Sequence, residues 1–127
     1  MSTLKVNTIQ NTSGVEVYTC KAWVNFDGTF SASSIFTVAN GGIRAAGNVT
    51  SVTDNGTGNY IVNFTNAMPD ANFVVNAITN STTGDASRPV VAFRTGASTT
   101  TAVIQTVGTY NNNTNVDCSV ITVTIFR

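Results

Sequence analysis

The chain has 127 residues, a length that suits one domain with a hydrophobic core of its own. Six basic and six acidic residues cancel, and charged residues make up only 9% of the chain, against about 25% in an average soluble protein. No cluster of lysine and arginine offers the positive stripe that a nucleic-acid backbone requires, so we expect no nucleic-acid partner. The zero net charge favours association between copies of the chain.

Histidine is absent from the sequence, which excludes the commonest general base and every catalytic pair or metal site that contains histidine. The acidic side chains are Glu16 and five scattered aspartates, most of them in or beside turns. An aspartate at a turn ordinarily accepts hydrogen bonds from its own backbone. We therefore expect no enzymatic activity, no metal site and no cofactor.

Residues 1–14 form a polar segment in which the apolar side chains after Met1 are Leu4, Val6 and Ile9. These are too few for a core, and turn-forming residues end the segment. We predict an arm whose Leu4, Val6 and Ile9 contact another protein, followed by one domain over residues 15–127. The start lacks the apolar stretch of a signal peptide, and no segment approaches the roughly 20 apolar residues that span a bilayer, so we expect neither secretion nor membrane insertion.

The composition of the whole chain favours strands, because 17 valines and 8 isoleucines stand against one leucine. Apolar and polar residues alternate over residues 20–26, 60–65 and 120–126, so each segment should be a strand with one buried face. In the first of these, Trp23 should point away from the core. The last has apolar residues on both faces, which predicts a central strand or one covered by a neighbouring chain.

Turn signals separate these strands. The sequence DNGTG at residues 54–58 predicts the tip of a hairpin, since its asparagine and glycines tolerate positive φ. An EF-hand calcium loop has more spaced carboxylates than this segment offers. Similar signals recur about every 8 to 12 residues and predict an all-β fold, an antiparallel β-sandwich of about eight to ten short strands. Whether its topology is that of a jelly roll stays open.

The two cysteines, Cys20 and Cys118, are each in phase with apolar neighbours in a predicted strand. A free cysteine in such a place behaves as a small buried hydrophobe. We predict two reduced, buried thiols rather than a disulfide.

Two loops are candidates for ligand contact. In one, Tyr110 is followed by Asn111 and Asn112, and an aromatic ring among amides can stack on a sugar and bind its hydroxyls. In the other, Asp85 and Arg88 form an opposite-charge pair among hydroxyls. The alternative for both is a solvated hairpin tip, because loops are polar whatever their function.

Several segments resemble, in order, small tail-fibre and structural proteins of tailed bacteriophages, among them cyanobacterial phages. They are STLKVNTIQNTSG at residues 2–14, KAWVNF at 21–26, IRA at 43–45, DNGTG at 54–58, VNF at 62–64, AMPDANF at 67–73 and IFR at 125–127. The chain departs from this pattern at residues 29–42, which are longer than the family's short turn, and at residues 76–116. The resemblance therefore covers the framework and not the candidate loops.

The resemblance implies a virion protein that is made in the host cytoplasm and attaches the particle to its host as a tail fibre or fibre-tip module. Its partners would be other virion proteins and a host-surface glycan or protein. A homotrimer is implied because phage fibres are usually threefold. The alternative is a head-decoration or adaptor protein that joins virion subunits.

Overall fold

The computed structural model describes residues 2–5, 9–10, 12–14, 19–80, 89–93, 98–108 and 114–127. Within these residues the chain forms strands and no helix, so no helix long and apolar enough to cross a membrane is found there. The strands are β1 (Cys20–Phe26), β2 (Ile35–Phe36), β3 (Ile43–Gly47), β4 (Val49–Asp54), β5 (Asn59–Phe64), β6 (Val74–Thr79), β7 (Pro89–Phe93), β8 (Thr101–Gly108), β9 (Thr114–Asn115) and β10 (Ile121–Phe126).

The strands form two antiparallel sheets packed face to face. The smaller sheet has the order β3-β1-β10-β6. The larger has the order β2-β4-β5-β8-β7, with β9 pairing to β8 beside the end of β5. The predicted β-sandwich is confirmed, and so is the central position of the last strand, because β10 lies between β1 and β6.

Period-two alternation builds the core between the sheets. The inner face of β10 buries Ile121, Val123 and Ile125, and the predicted alternations of β1 and β5 are confirmed in the same way. The buried side chains contributed by those two strands are Ala22, Val24, Phe26, Tyr60, Val62 and Phe64. Rings from both sheets meet edge to face, as Phe26 and Tyr60 do with their centroids 5.1 Å apart.

The segment at residues 29–42 adds a core residue that the sequence did not reveal. It contains β2, a two-residue edge strand paired with β4, and places Phe36 wholly inside the core. The Phe36 ring lies 6.1 Å from that of Phe26 and 5.4 Å from that of Phe30. The longer connection therefore supplies an edge strand of the larger sheet and one of the buried rings of the core.

The predicted hairpin at residues 53–59 is confirmed and joins β4 to β5. The amide of Asn55 donates to the carbonyl of Asn59 at 2.9 Å, and Gly56 and Gly58 adopt φ of 108° and 64°. The Asp54 carboxylate accepts from the amide of Gly56 at 2.8 Å, which is the expected bond of a turn aspartate to its own backbone. The glycines, rather than Asn55, take the positive φ.

The chain passes from the smaller sheet to the larger at Asn48, the one residue between β3 and β4. Asn48 has a φ of 54°, a left-handed conformation that asparagine tolerates better than most residues. Its amide nitrogen donates to the carbonyls of Lys21 and Asn66 at 3.0 and 3.1 Å, and its amide oxygen accepts from the amide of Asn66 at 2.7 Å. These bonds fix the corner of the sandwich to segments on either side of it.

The cysteine prediction is half correct. Both thiols are free, and Cys118 is fully buried, but Cys20 is exposed. The prediction for Cys20 was wrong because the register against β10 shifts between Cys20 and Ala22. This bulge moves Cys20 out of phase with the buried residues that follow it.

The described residues of the predicted arm lie at the surface. Leu4 is 88% exposed and Ile9 is 52% exposed, so neither enters the core of its own chain. Val6 lies outside the described residues. The division into an arm at residues 1–14 and a domain at residues 15–127 stays a prediction.

Candidate functional site

Four large apolar side chains lie together on the outer face of the smaller sheet, turned away from the core. Trp23 on β1, Phe126 on β10, and Val74 and Ile78 on β6 are each more than two-fifths exposed. We call these four residues the outer patch. An exposed cluster of apolar side chains usually marks a place where another molecule binds.

The strand register explains why the outer patch forms one surface. Phe126 lies directly opposite Val74, and Ile78 lies opposite Thr122, so β6 and β10 present alternate residues side by side. Trp23 lies opposite Thr124 on the other flank of β10. The polar residues interspersed among them are uncharged; they are Asn76, Thr122 and Thr124. The patch is therefore apolar and neutral across three strands.

The indole ring of Trp23 lies beside a glycine, which has no side chain to obstruct it. Trp23 pairs with Gly47 across β1 and β3, and a Cβ atom at position 47 would overlap the indole ring. Glycine at this position leaves space for the pyrrole edge of the ring to lie over β3. The ring lies over Gly47 and stays 43% exposed.

A pocket of about 220 Å³ opens at one end of the outer patch. Its lining combines two members of the patch with three polar residues; the five are Thr19, Asn72, Val74, Phe126 and Arg127. Apolar side chains supply most of such a surface and a few polar groups set direction, which is the usual make-up of a binding pocket.

The polar wall of this pocket is fixed by a fork between Arg127 and Asp70. The Nε and Nη2 atoms of Arg127 donate to the two carboxylate oxygens of Asp70 at 2.8 and 2.6 Å. The amide of Asn72 donates to the same carboxylate at 2.8 Å. The hydrogen bonds from Arg127, and then that from Asn72, lower the pKa of Asp70 to about 2, so the carboxylate is ionised at neutral pH. The ion pair in turn raises the pKa of Arg127.

A second polar cluster, inside the sandwich, is structural. The buried Tyr60 hydroxyl lies 2.7 Å from an Asp117 carboxylate oxygen and 3.0 Å from the carbonyl of Gly28, and its proton can be donated to either acceptor. Burial, and then the Asp117 carboxylate, raise the pKa of Tyr60 far above its ordinary value. The amide of Gly58 donates to the same Asp117 oxygen at 2.7 Å. Tyr60 is therefore a permanent donor, and the Asp117 carboxylate ties β5 and the hairpin to the segment between β9 and β10.

The acidic and cysteine side chains of the described residues are dispersed. Across the described residues no three or more acidic or cysteine side chains come together as a metal site would require. Three aspartates instead accept from the amide two residues ahead; they are Asp27, Asp54 and Asp70.

The loop residues predicted to contact a ligand are not among those that the structure describes. Tyr110, Asn111, Asn112, Asp85 and Arg88 all lie outside the described residues, so their role stays a prediction.

The sequence anticipated two members of the outer patch and missed the other two. Trp23 was predicted to point outward, and Phe126 lies on the second apolar face that was predicted for the last strand; both are exposed. The exposure of Val74 and Ile78 was missed because β6 opens with two consecutive valines, which hides the phase of the alternation. Thr19 and Asn72 carry no local signal, because the pocket brings them together from distant parts of the chain.

Comparisons of the chain with family models, with curated proteins and with solved structures found no match.

Proposed function

We propose that this chain is a non-enzymatic structural protein of a tailed-phage virion, where it serves as a fibre or fibre-tip module that binds a host-surface receptor. The observation that carries a binding role is the outer patch, in which four apolar side chains share one neutral sheet face. Burying such a face against a partner gains free energy from the hydrophobic effect without removing a charge from water. The placement in a virion comes from the resemblance of the framework segments.

The division of the molecule suits an attachment module. The segments that resemble phage proteins include β1, the β4–β5 hairpin and the end of β10, which build the sandwich. The two candidate loops fall in the stretch where the resemblance ends. A constant scaffold with divergent loops is the arrangement that recognition proteins use to vary their ligand.

In this proposal the chain assembles as a homotrimer, and the arm and outer patch take part in contacts between copies. Because the net charge is zero, copies of the chain repel one another only weakly. A closed ring of subunits would bury the exposed apolar surface of each copy. The number three rests on the resemblance alone. Light scattering on the purified protein should give a stable oligomer. A monomer whose mass does not change with concentration would contradict assembly, and a stable dimer would contradict the threefold count.

A second candidate is a head-decoration or adaptor protein, and the spread of the outer patch over three strands favours it. A neutral, apolar sheet face of this kind suits a broad contact with another protein subunit better than a small ligand. This candidate needs no host receptor.

Imaging separates the two candidates. Gold-labelled antibodies against the purified chain should mark the tail of the phage that encodes it. Label spread over the capsid lattice would favour decoration and refute the fibre placement, whereas particles without any label would refute the virion role itself.

Host adsorption tests the receptor loops. Replacing Tyr110 and Arg88 together by alanine should weaken adsorption by about 1–3 kcal/mol, the range of a lost anchor contact, while the fold is kept. Val38→Ala, at a position that is 60% exposed, provides a control that should leave adsorption unchanged. Full adsorption by the double variant would remove these loops as the receptor site.

A further inference from the structure

We infer that the pocket at the end of the outer patch receives the amino-terminal arm of a second copy of this chain, with Leu4 as the side chain that enters it. This inference rests on the proposed assembly of the chain into an oligomer, and it names the segment and the surface that meet. The pocket is the one lined by Thr19, Asn72, Val74, Phe126 and Arg127.

The arm and the pocket are chemically complementary. Leu4 is 88% exposed, and Val74 and Phe126, which line the pocket, are 63% and 41% exposed. Contacts within one chain therefore leave both the Leu4 side chain and the apolar lining of the pocket largely in water. Burying one against the other removes apolar area from solvent on both sides, which the hydrophobic effect favours.

The position of the pocket explains why a neighbouring copy can supply the arm. Thr19, which lines the pocket, is five positions after the end of the arm at residue 14. Each copy therefore carries both a pocket and an arm that precedes it in the chain, so the passing of an arm to the next copy can be repeated around a closed ring.

A cysteine placed at position 4 tests the inference in the full-length protein. Cys20 is exposed and follows Thr19 directly in the chain. Cys118 is buried, so it should not form cross-links in the folded protein. After mild oxidation of Leu4→Cys, we expect a disulfide between position 4 of one chain and Cys20 of another. Non-reducing electrophoresis should show covalent multimers that collapse to monomers on reduction, and mass spectrometry should identify the linked peptides.

Two control proteins test whether the cross-link is specific to position 4. The wild-type protein measures any direct Cys20–Cys20 linkage. Val38→Cys places a thiol at another exposed position, in the loop after β2, and should not cross-link above that background. A link from position 4 to Cys20 within a single chain would overturn the inference, because the arm would then occupy its own pocket. An oligomer that forms no such link would overturn it as well.

A pair of charge substitutions provides an independent measurement. Val74→Asp should raise the dissociation constant of the oligomer by at least about tenfold, since it puts a charge among the apolar side chains that line the pocket. Val38→Asp is the control, because Val38 is about as exposed (60% against 63%) and belongs neither to the pocket nor to the outer patch. Equal weakening by both variants, or none by Val74→Asp, would contradict the pocket.

The cross-linking result and the antibody labelling of the virion test the further inference and the proposed function separately. If antibodies mark the virion but position 4 does not link to Cys20, the virion role stands and arm exchange fails. If the link forms but no label is found on particles, arm exchange stands and the virion role fails.

Discussion

The two sides of β10 use neighbouring residues for opposite purposes. Ile121, Val123 and Ile125 face inward and are almost completely buried, whereas Thr124 and Phe126 face outward. The inward residues meet partners from their own chain on every side. The outward residues pair across the sheet surface but leave an apolar area in water. The inner residues are accounted for by the core, whereas the outer apolar residues stay partly in water, as those of a binding surface do.

Polar groups follow the same division. Every buried side-chain nitrogen and oxygen among the described residues has a hydrogen-bond partner, and the Tyr60 hydroxyl shows how such a partner is provided by fixed groups. At the surface, Arg127 and Asp70 form their fork in contact with water. A bond inside is costly to lose because the remaining partner stays buried, whereas one outside can be replaced by water.

The largest expected effect separates the two faces of β10 directly. Ile125→Ala should lower the free energy of unfolding by about 2–5 kcal/mol, because it leaves a cavity in the core. Thr124→Ala, one residue earlier and on the outer face, should change it by less than about 0.5 kcal/mol. Urea unfolding at one fixed protein concentration measures both. Similar losses from the two variants would show that the outer face also stabilises the fold.

Tyr60→Phe tests the buried polar group without altering the packing of the ring. It should cost about 1–3 kcal/mol, since the Gly28 carbonyl and the Asp117 carboxylate lose a donor inside the sandwich. The control is Thr50→Val, which removes an exposed hydroxyl that lies 2.8 Å from that of Thr65 and should cost less than about 0.5 kcal/mol. A neutral effect at Tyr60 would mean that water replaces the phenol.

The fork between Arg127 and Asp70 should produce a small, pH-dependent effect. Because the pKa of Asp70 falls from 3.8 to about 2 on folding, the ionised carboxylate stabilises the fold above pH 3.8, and this contribution is lost as the pH falls through about 2. Wild type should therefore melt higher than Asp70→Asn at about pH 6, and the difference should vanish at about pH 2.

Arg127→Gln is the matching control for the fork. It should reproduce the loss seen with Asp70→Asn, and combining the two substitutions should add nothing further. A difference in melting temperature that stays constant across this pH range would show that Asp70 acts without its charge.

The last prediction concerns a rate of labelling rather than a change in stability. Thiol labelling should distinguish the exposed cysteine from the buried one. A maleimide should modify Cys20 at least about tenfold faster than Cys118 in the folded protein, because burial both shields the Cys118 thiol and raises its pKa. After unfolding, the two rates should converge. A disulfide-linked peptide in the unreduced protein, or faster labelling at Cys118, would contradict the assignment.

The sequence predicted the parts of the fold that follow from local alternation. The inward residues of β1, β5 and β10 and the hairpin at residues 53–59 were all identified, because period-two patterns and Asn-Gly turns are local signals. The bulge that exposes Cys20 was missed, since it depends on the register against β10. The buried Phe36 was missed because β2 is too short to show any alternation.

The candidate site was less accessible to prediction. Trp23 stood out as the odd residue of an alternating strand, but the pocket joins residues from position 19 to position 127. The hydrogen bond between Tyr60 and Asp117 likewise spans 57 positions. Such contacts are set by the order of strands in the sheets, and no periodicity within a segment encodes that order.

The corner at Asn48 has a mechanical consequence. Because a single residue connects β3 to β4, the chain has no slack between the two sheets at that point. Asn48 also fastens this corner to the backbone of Lys21 and Asn66, one in β1 and the other just after β5. A pull applied to the larger sheet is therefore passed directly to the smaller one, and the sandwich should carry tension as a unit before its layers slide apart.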